Sequence, residues 1–95
     1  TYEIDGFLPE NYSAIGYEVV HTGYFPVQVL ENPNRLVPAD VMRELVRESF
    51  IGKLHPLFYS TSGNATDPKI CDKMGEEIAK QLKDKGVDGV ILTST

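Results

Sequence analysis

With 95 residues, 41% of them hydrophobic and 24% charged, the chain has the composition of one small folded core and not of a disordered segment. A formal charge of −5 excludes the clustered lysine and arginine that phosphate-backbone binding needs, so no nucleic acid is expected among its partners. No apolar run approaches the roughly 20 residues that cross a bilayer, and no basic segment followed by an apolar one marks a signal peptide, so the expected setting is cytoplasmic, without membrane contact. Cys71 is the only cysteine, which rules out an internal disulfide. A metal site would have to gather His21 and His55 from distant positions, and no metal or other cofactor is expected on this chain.

Residues 1–16 hold Gly6, Pro9, Asn11 and Gly16 among scattered aromatics and read as an irregular N-terminal arm. Residues 17–22 alternate and are rich in β-branched side chains, the pattern of a strand, closed by Gly23. A long loop with Pro26 and Asn32-Pro33-Asn34 follows, in which Val27-Gln28-Val29-Leu30 suggests a further short strand. Pro38 then opens a helix in which Val41, Met42, Leu45 and Val46 recur at helical spacing to about Ser49. Asp40, Arg43, Glu44 and Arg47, at three- and four-residue offsets, read as its solvated face. Residues 57–61 read as a strand that leads straight into Ser62-Gly63-Asn64. A second helix starts where Thr66 or Asp67 can cap and Pro68 can occupy the first turn; it carries Ile70, Met74, Ile78 and Leu82 on one stripe and ends at Gly86. Residues 87–93 resume as a buried strand.

Alternation of strand and helix favours an α/β fold, a mainly parallel sheet with right-handed crossovers and flanking helices. The expectation is a single α/β domain over 1–95, an incomplete doubly wound sheet, because the chain starts at Thr1 instead of Met and stops directly after an apolar strand. Ligands of such sheets bind outside the carboxyl ends of the strands. That selects Ser60, Thr61, Ser62, Gly63, Asn64 and Thr66 in one segment and Thr93, Ser94 and Thr95 in another. The first joins a hydroxyl-rich strand end to a helix N-terminus, where unpaired N–H groups favour a carboxylate or phosphate and Gly63 permits close backbone approach. The same residue types also cap helices and build turns with no ligand at all. No nucleophile with its base is evident. Cys71 falls beside the apolar stripe as a small buried thiol, and neither His21 nor His55 has Ser or Cys and Asp at a known spacing.

Three stretches combine into a family resemblance: Pro33-Asn34-Arg35-Leu36-Val37-Pro38-Ala39-Asp40-Val41 with Arg43-Glu44-Leu45; Ile51-Gly52-Lys53-Leu54-His55 leading to Phe58-Tyr59-Ser60-Thr61-Ser62-Gly63; and Gly86-Val87-Asp88-Gly89-Val90-Ile91-Leu92-Thr93-Ser94-Thr95. Together they resemble the selenoprotein B component of glycine, sarcosine and betaine reductases, with proline reductase more distant, over about residues 17–95. In that family the motif resembling Ile91-Leu92-Thr93-Ser94-Thr95 runs into a catalytic selenocysteine, or a cysteine in its place, and then a Gly-Thr-Cys type segment. This chain stops one residue short, so a truncated or fragmentary subunit, inactive alone, is expected, left by a selenocysteine codon read as a stop, by cleavage or by a split subunit.

The resemblance implies reductive cleavage of the C–N bond of a small amino acid or betaine, by a selenolate attacking the α-carbon while a pyruvoyl group on a partner subunit holds the amine in the glycine branch. It implies the other subunits of a reductase complex as partners, and it adds Arg35, in the Asn34-Arg35 motif, as a candidate anion partner. The alternative is a non-catalytic α/β module that binds small anions, and a third reading is a structural interaction domain. An exposed edge after the last strand leads to the expectation of a homo-oligomer.

Overall fold

The computed structural model describes residues 1–13, 16–19, 21, 23–61 and 65–94. In chain order they form strand β1 (Tyr2–Glu3), a single helical turn α1 (Ile4–Phe7), α2 (Val27–Glu31), a 3₁₀ turn (Pro33–Arg35), α3 (Ala39–Arg47), β2 (Leu57–Phe58) and α4 (Pro68–Asp84). Among the described residues no helix is long and apolar enough to cross a membrane.

The two longer helices lie where the prolines and caps of the sequence place them. The Asp67 side chain accepts a hydrogen bond from the Lys69 N–H at 2.8 Å, with Pro68 in the first turn. At its far end α4 closes in a paired arrangement: the Gly86 N–H donates to the Lys83 carbonyl and the Val87 N–H to the Leu82 carbonyl, both at 3.0 Å. Gly86 adopts φ +68°, the left-handed conformation this closure needs. α3 ends in the same way, Ser49 donating to Val46 and Phe50 to Leu45, but here a serine takes φ +59°.

Val27–Leu30, expected as a short strand, is helical instead. Pro26 already sits at helical angles (φ −83°, ψ −8°), and its carbonyl accepts the Leu30 N–H at 2.9 Å. A proline fixed in that conformation outweighs the β preference of two valines, and Val29 is buried by the resulting turn.

Residues 1–16, read from the sequence as an irregular arm, supply β1, α1 and much of the core. Ile4, Leu8 and Ala39 form its centre, with Tyr12, Tyr17, Val37, Leu54 and Phe58 packed around them. Leu8 is fully buried, which contributes about 2 kcal/mol by area. Tyr2 stacks on Phe58 with ring centroids 5.3 Å apart, and Phe7 meets Tyr17 edge to face at 5.4 Å. The Tyr17 hydroxyl donates to the Phe7 carbonyl.

The apolar stripe of α3 turns inward in part: Met42, Leu45 and Val46 are half-buried. Ala39 and Arg43 are buried, whereas Val41 is 59% exposed. The reading of Arg43 as part of a solvated face is therefore corrected. Its guanidinium reaches across to residues 5 and 8, and those partners, remote in sequence, make burial tolerable.

β1 and β2 pair antiparallel, Tyr2 opposite Phe58 and Glu3 opposite Leu57, and the Ile4 N–H donates to the Pro56 carbonyl at 2.8 Å just beyond them. Among the described residues this is the one sheet, and the described parts of 17–22 and 87–94 join no ladder. Val90, Ile91 and Leu92 are 56%, 60% and 90% exposed.

Candidate functional site

Ser60 and Thr61 lie exposed just past β2, Thr66 is half-buried ahead of α4, and Thr93 and Ser94 are exposed near the end of the chain. Ser62, Gly63, Asn64 and Thr95, the other candidates in these two segments, lie outside the described residues. No ladder joins 57–61 to 88–92 among the described residues, so the two segments are not brought together by a shared sheet here. Asp67 itself caps α4 and sets a carboxylate at the positive end of the helix, which weakens the attraction of that end for a second anion. Arg35 is engaged within the chain: its Nη1 donates to the Gln28 carbonyl at 2.9 Å and to Glu31 Oε2 at 2.7 Å.

The family-like stretch 33–43 builds a polar network instead. Asn34 is its hub. Its Nδ2 donates to Asp40 Oδ2 at 2.9 Å and to the Tyr12 hydroxyl at 3.1 Å, while its Oδ1 accepts from the Asp40 N–H at 2.8 Å. Pro38, the N-cap of α3, makes no side-chain cap bond, so Asn34 satisfies a first-turn N–H from six residues away. The Tyr12 hydroxyl in turn donates to Asn32 Oδ1 at 2.7 Å. Arg43 extends the network, donating to Asp40 Oδ1 at 3.0 Å, to Asp5 Oδ1 at 2.8 Å and to the Leu8 carbonyl. These groups satisfy one another and bind the N-terminal residues to α3. They position; they offer no reactive atom.

Beside them an open cleft of about 390 Å³ is bounded by Ile4, Arg43, Arg47, Lys53 and Leu54. Arg47 donates to Glu44 at 2.9 Å and to Glu10 at 2.5 Å, and the Glu44 hydrogen bond, reinforced by the charge of Glu10, raises its pKa further above the ordinary arginine value. Both arginines are thus matched by carboxylates, and Lys53 has no ion pair among the described residues. Among the described residues no hydroxyl, thiol or imidazole lines the cleft. Cys71, expected as a buried thiol, is exposed, and its Sγ contacts the Thr66 carbonyl at 3.8 Å; the stripe of α4 runs one position to the side of it. Among the described residues no group of His, Cys, Asp and Glu could hold a metal ion.

Comparison with known proteins defines the family. The model of the glycine/sarcosine/betaine reductase selenoprotein B family matches residues 1–95, and the chain belongs to that family. The match takes in residues 1–16 as well as 17–95, in keeping with the place of Ile4 and Leu8 in the core. The chain is 43% identical over 94 residues to the glycine reductase complex component B subunit gamma of Peptoclostridium acidaminophilum, covering 99% of this chain and 21% of that protein. It is 48% identical over 79 residues to the subunit of the same name from Carboxydothermus hydrogenoformans, 83% of this chain and 18% of that one. With the betaine reductase complex component B subunit beta of Peptoclostridium acidaminophilum it shares 44% identity over 79 residues, 83% of this chain. The chain spans about a fifth of the length of these relatives. No solved structure matches it with significance.

Proposed function

We propose that the chain contributes to a component B subunit of a reductase complex that reductively cleaves the C–N bond of a small amino acid or betaine. The observation that carries this reading is the family match across residues 1–95, with relatives named for glycine and for betaine reductase complexes. Its partners are then the other subunits of the complex, one of them, in the glycine branch, bearing the pyruvoyl group that holds the amine.

The fold proposed for the complete subunit is the mainly parallel sheet of the sequence reading, with 57–61 and 88–92 as neighbouring strands and the site at their carboxyl ends. Exposure of Val90, Ile91 and Leu92 supports it, because three consecutive apolar side chains gain only when something covers them. The selenocysteine or cysteine that the family carries after the motif resembling 91–95 would supply a nucleophile ionised near neutral pH. Among the described residues, Ser60, Thr61 and Thr93 are exposed hydroxyls placed to orient a substrate carboxylate at that edge.

The assembled complex tests this. Incubated with a reductant it should release ammonia from glycine, methylamine from sarcosine or trimethylamine from betaine. Release of none of the three amines overturns the reading.

A further inference from the structure

A second open cleft, of about 460 Å³, lies among the N-terminal residues and is bounded by Phe7, Pro9, Tyr12, Ser13, Tyr17 and Glu18. Its size is that of a small-molecule site, roughly 300–1,000 Å³. Its chemistry is the reverse of the cleft beside Arg43. The walls are aromatic, the carboxylate of Glu18 is exposed, and no Lys, Arg or His bounds it among the described residues.

The three rings stand at right angles and wall a corner. Tyr12 meets Tyr17 at 89° with ring centroids 5.8 Å apart, and Phe7 meets Tyr17 at 79° and 5.4 Å. Both phenol hydroxyls are already engaged within the chain. Tyr12 donates to Asn32 Oδ1 and accepts from Asn34 Nδ2, and Tyr17 donates to the Phe7 carbonyl. Those bonds fix the rings and leave carbon surface as what they offer the cleft, so a ligand meets preorganised π faces. A primary ammonium gives up three hydrogen bonds to water and needs oxygen acceptors in return. A quaternary ammonium donates none, and ring faces with a nearby carboxylate suit it better than any anion.

We propose that the cleft walled by Phe7, Tyr12 and Tyr17 binds a quaternary ammonium group, with the trimethylammonium of betaine as its occupant. The choice of betaine rests on the reading of the chain as part of a C–N-cleaving reductase; the cleft's affinity for a quaternary cation does not. Phe7 also meets Phe58 with ring centroids 5.2 Å apart, two residues before Ser60, so the cleft borders the strand that leads to the candidate edge.

Tetramethylammonium titrated into the chain should shift the ring resonances of Phe7, Tyr12 and Tyr17 saturably, and the neutral isostere 3,3-dimethylbutanol should not. Equal response to the isostere, or none to the cation, overturns the site. Phe7→Leu should weaken tetramethylammonium about two- to thirtyfold by removing one ring. Glu18→Gln should weaken it about two- to fivefold with no change in melting temperature. Unchanged affinity in either variant overturns the assignment. Phe7→Leu also thins the packing on Phe58, so where it does not fold, Glu18→Gln and the isostere decide. Betaine should displace tetramethylammonium and glycine should not; displacement by glycine alone, or by neither, overturns betaine as occupant. A complex that releases none of the three amines while tetramethylammonium still saturates the rings defeats the reductase reading and leaves the quaternary ammonium site standing.

Discussion

Arg43 and Asp5 stand 38 positions apart in the sequence and are joined by an ion pair of 2.8 Å. The two ends differ in kind: the arginine side chain is 9% exposed and the aspartate 89%. Water screens the Asp5 end, so most of what the arginine contributes comes from its bond to the Leu8 carbonyl and from Asp40. The pair is better understood as the rim of a clamp whose centre is a backbone carbonyl beside the fully buried Leu8.

Arg43→Ala should therefore destabilise the chain by roughly 2–4 kcal/mol, because it leaves the Leu8 carbonyl without its donor and opens a gap beside the core. Asp5→Ala should cost less than about 1 kcal/mol, the range of exposed pairs. Urea unfolding followed by tyrosine fluorescence reads both, and equal costs would place the energy in the ion pair instead.

Asn34→Asp isolates the hub of the network. The change keeps the shape and the acceptor for the Asp40 N–H but removes both Nδ2 donors and sets a carboxylate 2.9 Å from where Asp40 Oδ2 sits. A loss of roughly 2 kcal/mol is expected, with the amide exchange of Asp40 and Val41 accelerated at the start of α3. Wild-type stability in this variant would show that the network is held by Tyr12 and Arg43 without it.

The two helix ends make opposite forecasts from one geometry. Ser49 bears a side chain in the left-handed region where Gly86 has none. Ser49→Gly should stabilise by about 1 kcal/mol and Gly86→Ala should destabilise by about as much. Nothing lies within 4 Å of the space a Cβ on Gly86 would take, so conformation and not crowding sets that cost. Thermal melts of the two variants should move in opposite directions.

α4 was legible in the sequence because its signals are local: Asp67, Pro68 and Gly86 lie within a turn of the bonds they make. The start of α3 was legible for the same reason. Its inward face was legible in part, since Met42, Leu45 and Val46 are half-buried. Val41 looked like core and Arg43 like surface, and the burial of Arg43 depends on Asp5 and Leu8, contacts that no local spacing encodes. The same holds for Asn34, whose family-like motif is visible in the sequence while its role as a distant cap for α3 requires Tyr12 and Asp40 in place. Of the candidate edge, the sequence located hydroxyls past two apolar runs; what joins those runs depends on pairing partners for 88–92.

Self-association should follow from that open segment. With Val90, Ile91 and Leu92 more than half exposed, the 95-residue chain is expected to sediment as an oligomer, and Leu92→Lys should shift it toward monomer by charging the most exposed of the three. A wild-type chain that stays monomeric at micromolar concentration would remove the expectation.

β2 has two edges, and β1 occupies one of them. The other is open to residues 88–92 in the proposed parallel sheet, and cysteine pairs in the complete subunit can decide whether they take it. In a Cys71→Ser background, cysteine at Phe58 would be combined in turn with cysteine at Val90, Ile91 or Leu92. Neighbouring strands lie about 4.8 Å apart, within the range a disulfide spans, so mild oxidation should bridge at least one pair. Side chains of a strand alternate between faces, so Ile91 should bridge without its neighbours, or one or both of them without Ile91. Direction comes from moving both cysteines two residues toward the C-terminus: if Phe58 bridges to Ile91, then Ser60 should bridge to Thr93 in a parallel pair, whereas an antiparallel pair would carry the second bridge the other way. Bridging at all three positions would mean a mobile tail and not a strand, and bridging at none would remove 88–92 from the side of β2 and with it the sheet edge on which Ser60, Thr61 and Thr93 are proposed to meet.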